Sequence, residues 1–332
     1  MDQVTSIAGL DTSQILERGR DVVRIEADAL GLLHAALDNS FVQACRTIKG
    51  AARQLVITGM GKSGHIGRKV AATFAATGTP AIFVHPGEAA HGDLGMLARG
   101  DVLLVLSNSG NTSELRAILN YARKGGIPII GMASRRNSLV GELADVTLLL
   151  PKVREACAVN VAPTTSTTLQ LALGDALAMA VMDMRGITKS WLRMVHPAGS
   201  IGLALAPVAE IMHGEDRMPL VSHMAGMPEV ISVMTRGCFG LAGVVDDTGA
   251  LIGIITDGDL RRRFGMLTTA FARDVMTRAP KVLPAEIPAG EALLFLNDSQ
   301  ITAAFVVEDA SIPAPYPLGI IHIHDLLRVG LN

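Results

Sequence analysis

The sequence predicts an α/β protein: a doubly wound parallel sheet of five strands flanked by helices, followed by a duplicated, smaller α+β unit. Two observations carry this. Five short apolar or β-branched runs alternate with helix-length segments between residues 54 and 184, as in a sheet whose parallel crossovers cover both faces. From Pro207 onward the chain repeats itself once, each copy closing with a strand, a polar turn and a helix.

The elements follow in order. Across residues 13–50, Ile15, Val22, Val23, Ile25, Leu30, Leu33 and Leu37 recur at near-helical intervals, so one or two leading helices are expected. The strands are 54–58, 81–84, 102–106, 127–132 and 146–150. Segments 63–76, 113–124 and 165–184 read as crossover helices, each opening on a Ser or Thr suited to cap its first turn. In the repeat, Val208-Ala-Glu-Ile-Met212 and Leu251-Ile-Gly-Ile-Ile-Thr-Asp-Gly-Asp-Leu260 correspond to Ala272-Arg-Asp-Val-Met276 and Leu318-Gly-Ile-Ile-His-Ile-His-Asp-Leu326. The expected organisation is a helical segment 1–40, a sheet domain 41–186, a connection 187–207, and repeats 208–269 and 270–332.

Lys and Arg number 29 against 31 Asp and Glu, so there is no basic excess to hold a nucleic acid backbone. Cys45, Cys157 and Cys238 lie far apart without a CxxC pair, which suits reduced thiols and a cytoplasmic address. No run of about 18 apolar residues occurs, and neither export nor a membrane span is expected.

Two loops carry candidate chemistry. Gly59-Met-Gly-Lys-Ser-Gly64 has dinucleotide-site spacing, but the next strand ends at His85 and not at the acid a ribose requires. A Walker reading fails because its first glycine would fall at Val56. Ser107-Asn-Ser-Gly-Asn-Thr-Ser113 is more specific: Ser107, Ser109 and Thr112 add hydroxyls to free N–H groups at a helix start, which makes a phosphate cup. Thr164-Thr-Ser-Thr-Thr168, with Thr165 and Ser166, opens the last crossover helix in a similar way, and capping explains part of its pattern.

These loops, with His85-Pro-Gly-Glu-Ala-Ala-His-Gly-Asp-Leu-Gly95, Glu155-Ala-Cys157, Ala162-Pro-Thr-Thr-Ser-Thr-Thr168 and His196-Pro-Ala-Gly-Ser200, resemble the SIS family of sugar isomerases followed by two CBS repeats. Over essentially the whole chain the likeness is to its bacterial arabinose 5-phosphate isomerases. The resemblance implies interconversion of ribulose 5-phosphate and arabinose 5-phosphate through an enediolate, the first step toward Kdo and lipopolysaccharide. Capsule or sugar-alcohol metabolism is an alternative setting. It also implies a homotetramer and no cofactor.

Such chemistry needs a base, a second proton carrier and a cation near the developing oxyanion. Carried over by the resemblance, Lys62, Glu114, Glu155 and His196 fall on the catalytic positions. Which of them takes the carbon-bound proton stays open, with His196 favoured. Gly61, Ser63, His85 and His91 join the substrate-contacting set, and His85 can also capture a non-essential divalent metal. Taken singly, each also has an ordinary reading: Glu114 as a complement to a helix N-terminus, His196 as a cap between domains.

In the repeats, Thr256 and Asp259 occupy the positions of a CBS nucleotide signature, while the second copy has His322 for the Thr and keeps Asp325. A nucleotide or nucleotide-sugar effector is the corresponding expectation, and a purely structural pair the alternative. For the whole chain the competing reading is a non-catalytic sugar-phosphate sensor, which retention of the four catalytic positions disfavours.

Overall fold

The computed structural model describes residues 11–197 and 199–331. The first ten residues of the expected helical segment, Ala198 of the His196 motif and Asn332 lie outside the described residues. The chain divides after Ile187 into two units.

In the first unit, α1 (Thr12–Ala36) and α2 (Asn39–Lys49) lead into β1 (Leu55–Gly59), α3 (Gly61–Ala76), β2 (Ala81–Phe83) and the short α4 (Pro86–Ala89). Then come β3 (Val102–Leu106), α5 (Leu115–Lys124), β4 (Ile129–Ala133), α6 (Leu139–Leu143), β5 (Val146–Leu149) and α7 (Thr165–Arg185). All five strands are parallel, in the order β2-β1-β3-β4-β5.

Side-chain alternation explains why the strands read as continuous apolar runs. Leu55 and Ile57 of β1 with Val102, Leu104 and Leu106 of β3 face a core built with α1, α2, α3 and α7. Val56, Leu103 and Val105 face the opposite core, built with α5 and α6. Both faces are therefore dry, and a polar residue in mid-strand would meet apolar neighbours on either side.

One local expectation is met and one needs correction. In α1 the contact face is Ile25, Ala29 and Leu33, whereas Ile15, Val23 and Leu37 are exposed. The leading helices form as the spacing predicts, and Ile25 and Leu33 of the periodic series make the contact together with small Ala29. The crossover helices lack hydroxyl caps: their N-cap residues are Met60, Glu114 and Thr164, none making a side-chain cap bond.

The second unit holds α8 (Lys189–Val195), α9 (Ser200–Ala204), β6 (Leu220–Ser222), α10 (Met227–Gly237), β7 (Leu241–Val245), β8 (Leu251–Thr256), α11 (Asp257–Arg262), α12 (Ala272–Val275) and β9 (Thr277–Arg278). It ends with β10 (Val282–Pro284), α13 (Ala289–Asp298), β11 (Ala303–Val307), β12 (Pro317–His322) and α14 (Ile323–Arg328). The duplication is visible in the sheets. β6 runs parallel to β7 and β7 antiparallel to β8, as β10 runs to β11 and β11 to β12, with an irregularity at Val244/Val245 and its counterpart Val306/Val307. The copies are interlocked. Val208, Ile211 and Met212, which open the first copy, pack into the core of the second, while Ala272, Val275 and Met276 pack into the core of the first.

Candidate active site

Strand order reverses between β1 and β3, and loops leaving such a pair diverge, opening a crevice beyond the carboxyl ends of the strands. A cleft of about 520 Å³ occupies that place. Lys62 and Ser63 line it from the start of α3, Ser107, Asn108, Ser109 and Thr112 from the loop after β3, and Glu155, Asn160 and Ser166 from the segment leading into α7. Arg135, two residues beyond β4, completes the wall.

The loop after β3 is pre-shaped. Buried Ser107 places its Oγ 3.0 Å from Thr112 Oγ1 and accepts from Gly110 N at 3.1 Å. Asn111 N donates to Ser109 Oγ at 3.2 Å. Among the described residues nothing accepts from the N–H groups of Ser109, Thr112 or Ser113, so donors and the positive end of α5 face the same space. Gly110 is required twice: its φ is +72°, and a Cβ there would stand 2.2 Å from Ser138 Oγ.

Lys62 lies in the first turn of α3, which has no acidic residue there, and among the described residues it forms no ion pair. A cation at the positive end of a helix is unfavourable by itself and becomes favourable once an anion binds between them. Gly61, at φ +57°, lets the chain enter α3 directly from β1.

Glu155 is held firmly. Its Oε2 accepts from Thr164 N at 2.8 Å, Thr164 Oγ1 at 3.2 Å and Ser166 N at 3.1 Å, while Oε1 has no partner among the described residues. Burial raises the pKa of this carboxyl, but the hydrogen bonds from Ser166 and Thr164 outweigh it and hold the group below its ordinary range. Glu155 thus supplies the cap that Thr164 does not. Thr165 is buried, and its hydroxyl has no hydrogen-bond partner among the described residues.

The cleft does not gather every expected residue. Glu114, the N-cap of α5, is exposed and accepts from Ser113 Oγ at 2.8 Å. Hydrogen bonds from its own backbone N–H and from Ser113 lower its pKa. His85 caps α4, accepting from Gly87 N at 3.3 Å through Nδ1, and exposed His91 follows that helix; neither lines the cleft. Among the described residues no group of three potential ligands surrounds His85 as a metal site.

His196 ends α8 in the second unit, with Nδ1 2.8 Å from the carbonyl of Leu192. A carbonyl only accepts, so Nδ1 is the donor, and in the neutral ring Nε2 keeps the lone pair. In the repeats, buried Asp259 accepts from Thr256 Oγ1 at 2.7 Å and from Arg262 at 2.8 Å. Asp325 accepts from His322 N at 3.1 Å and lies 3.0 Å from His213 Nε2. The two acids close equivalent capping boxes on α11 and α14.

Arg135, Asn108 and Asn160 are cleft residues that the sequence does not single out. The available signal for Arg135 is its position in the loop that follows a buried strand, two residues past the end of β4.

A SIS domain model matches residues 51–180 and a CBS domain model matches 208–265 and 272–332. The chain is 42% identical over 327 residues to arabinose 5-phosphate isomerase KdsD of Yersinia pestis, covering 97% of each. Against the enzyme of the same name from Escherichia coli K12 it is 40% identical over 335 residues, covering all of both. Among solved structures, an Escherichia coli CFT073 protein in complex with arabinose 5-phosphate is 34% identical with a TM-score of 0.55, matching 57% of this chain and 100% of its own. A putative sugar-phosphate isomerase from Listeria monocytogenes is 28% identical with a TM-score of 0.56 over the same shares.

Proposed function

The chain belongs to the arabinose 5-phosphate isomerases that join a SIS domain to a CBS pair, and on that premise we propose that it interconverts ribulose 5-phosphate and arabinose 5-phosphate in the cleft between Lys62 and Glu155. The observation that carries the reading is the meeting, in one cleft, of a hydroxyl-rich anion cup, an unpaired lysine and a fixed carboxylate. The relatives do not favour the sensor alternative.

The phosphate sits in the Ser107–Thr112 cup, which anchors the acyclic sugar away from its reacting end. Lys62 neutralises the oxyanion as the enediolate forms. Glu155, committed through Oε2 and lowered in pKa, is a weak acceptor for a carbon-bound proton; its free Oε1 takes a sugar hydroxyl and orients the chain. The proton between carbons 1 and 2 is carried by His196 through Nε2, the nitrogen its tautomer leaves unprotonated. Glu114 keeps its place among the proposed catalytic residues, and Gly61, Ser63, His85, His91, Thr165 and Ser166 complete the proposed binding residues.

In this reading the enzyme works in the cytoplasm as a homotetramer and feeds Kdo and lipopolysaccharide synthesis. Among the described residues no helix is long and apolar enough to cross a membrane. For the CBS pair, the corresponding proposal is a nucleotide or nucleotide-sugar effector at Thr256, Asp259 and Asp325, which calorimetry with a nucleotide panel tests.

The deciding experiment is conversion of ribulose 5-phosphate by the purified chain, with the product identified and the assay repeated after chelation. Arabinose 5-phosphate should form, and Lys62→Met should lower kcat by about 100-fold or more. Saturable sugar-phosphate binding without turnover would overturn the catalytic reading.

A further inference from the structure

A phosphate monoester is a dianion near neutral pH, and N–H and hydroxyl dipoles alone balance that charge poorly. The Ser107–Ser113 cup holds no cation of its own, and Lys62 is committed to the reacting end of the sugar. Arg135 is the remaining cation on the cleft wall.

Its placement is built rather than incidental. Ser134 donates to the carbonyl of Asn108 from its backbone N at 2.9 Å and from Oγ at 2.7 Å. Val140 N donates to Gly110 O at 3.0 Å, and Leu139 N to Asn111 Oδ1 at 2.9 Å. Four hydrogen bonds thus stitch the loop after β4 onto the cup, and the missing Cβ of Gly110 lets Ser138 approach it. Arg135 is carried between these bonds. It is exposed and forms no ion pair with a carboxylate among the described residues. A second cavity of about 350 Å³ shares Asn108, Arg135 and Val153 with the cleft and adds Lys152, but no acid lines it.

We propose that Arg135 is the phosphate-recognising cation of this cleft, forming charge-assisted hydrogen bonds to the phosphate oxygens held by the Ser107–Thr112 cup and so selecting phosphorylated over free sugars. The proposal deepens the isomerase reading, resting on the same cleft, but the ligand class it names is the phosphate group itself. A guanidinium suits the task because its planar donors meet two phosphate oxygens at once, which the point charge of a lysine does not.

The test is titration calorimetry of the full-length protein with inorganic phosphate, comparing the parent with Arg135→Ala and Arg135→Lys, alongside steady-state kinetics with ribulose 5-phosphate. Loss of a charge-assisted bond should weaken phosphate binding about 10- to 100-fold in Arg135→Ala. KM should rise in parallel, kcat should stay within about threefold, and Arg135→Lys should recover part of the loss. Phosphate affinity equal in the parent and Arg135→Ala, including the case in which neither binds, overturns the assignment. Because the calorimetry needs no turnover, failure of the isomerase reading would appear separately, as a parent that binds phosphate through Arg135 and converts no sugar.

Discussion

Glu155 Oε2 lies 2.8 Å from the backbone nitrogen of Thr164, so the carboxylate that faces the cleft is also the cap of its longest flanking crossover helix, α7. Stability and activity therefore share one side chain. Glu155→Ala should cost about 0.5–2 kcal/mol, the usual effect of a lost cap, and lower the melting temperature by a few degrees. Glu155→Gln keeps an oxygen for the same donors and should melt close to the parent while turning over more slowly. The sign of the pH effect follows from the lowered pKa. The charged form is favoured by folding, so its contribution is present above the ordinary value of 4.5 and is lost as pH falls through the folded pKa. Thermal melts of parent and Glu155→Gln from pH 7 to pH 3.5 check this: the parent should lose stability more steeply on the acid side, and parallel curves would remove the cap from the explanation.

Gly110 offers a second, more local lever. An alanine there must hold φ near +72° and place its Cβ 2.2 Å from Ser138 Oγ. The strained backbone alone costs of order 1–3 kcal/mol, and the clash pushes the cup away from the loop after β4. Gly110→Ala should both melt earlier and raise KM for the sugar phosphate, with kcat less affected. An unchanged KM in a variant that still folds would mean that the cup does not hold the phosphate.

The second unit should respond to mild acid through His322. Burial lowers its pKa, and the positive potentials of His324 and His213 add to that effect while Asp325 opposes it. The ring also lies 6.4 Å from Phe239, centroid to centroid. The unfolded chain takes up the proton first, near pH 6.5, so stability is complete above that value and declines as pH falls from it toward the folded pKa. His322→Thr installs the residue that caps α11 in the first copy, Thr256, and removes the titration. Melting curves from pH 8 to pH 5.5 should show a steeper decline for the parent than for His322→Thr, and identical slopes would assign the acid sensitivity elsewhere.

Much of the fold is legible because its chemistry is one-dimensional. Buried parallel strands must be apolar on both faces, so Leu103 and Leu104 read as strand without knowledge of their partners. Ser107 stands out because a hydroxyl ending a buried strand has few other uses. What stays hidden depends on choices that adjacency along the chain does not encode. Ser63 opens the sequence of α3 as a cap would, yet it lines the cleft while Met60 holds the N-cap position. Arg135 looks like any surface arginine until Ser134 ties it to Asn108. Val208 and Met212 resemble the start of one repeat and pack into the other, because a repeated motif does not specify which copy it closes.

His196 allows the proton-transfer proposal to be separated from mere structure. Its Nδ1–H bonds the Leu192 carbonyl at the end of α8, and Nε2 is the atom proposed to act. Asparagine places an amide nitrogen near the position of Nδ1, so His196→Asn keeps the donor to Leu192 and deletes the base. Glutamine reaches instead toward the position of Nε2 but brings a non-basic amide. If Nε2 carries the carbon-bound proton, both variants should lose about 100- to 10,000-fold in kcat with little change in KM, and His196→Asn should melt like the parent. Solvent hydrogen exchange into arabinose 5-phosphate at carbon 2 should disappear with the same substitutions, since no other group would be abstracting that proton. Retention of exchange in His196→Asn would move the base to another residue, with Glu155 through its free Oε1 the first to test, whereas loss of activity only in step with a lowered melting temperature would reduce His196 to the helix-ending role its bond to Leu192 already provides.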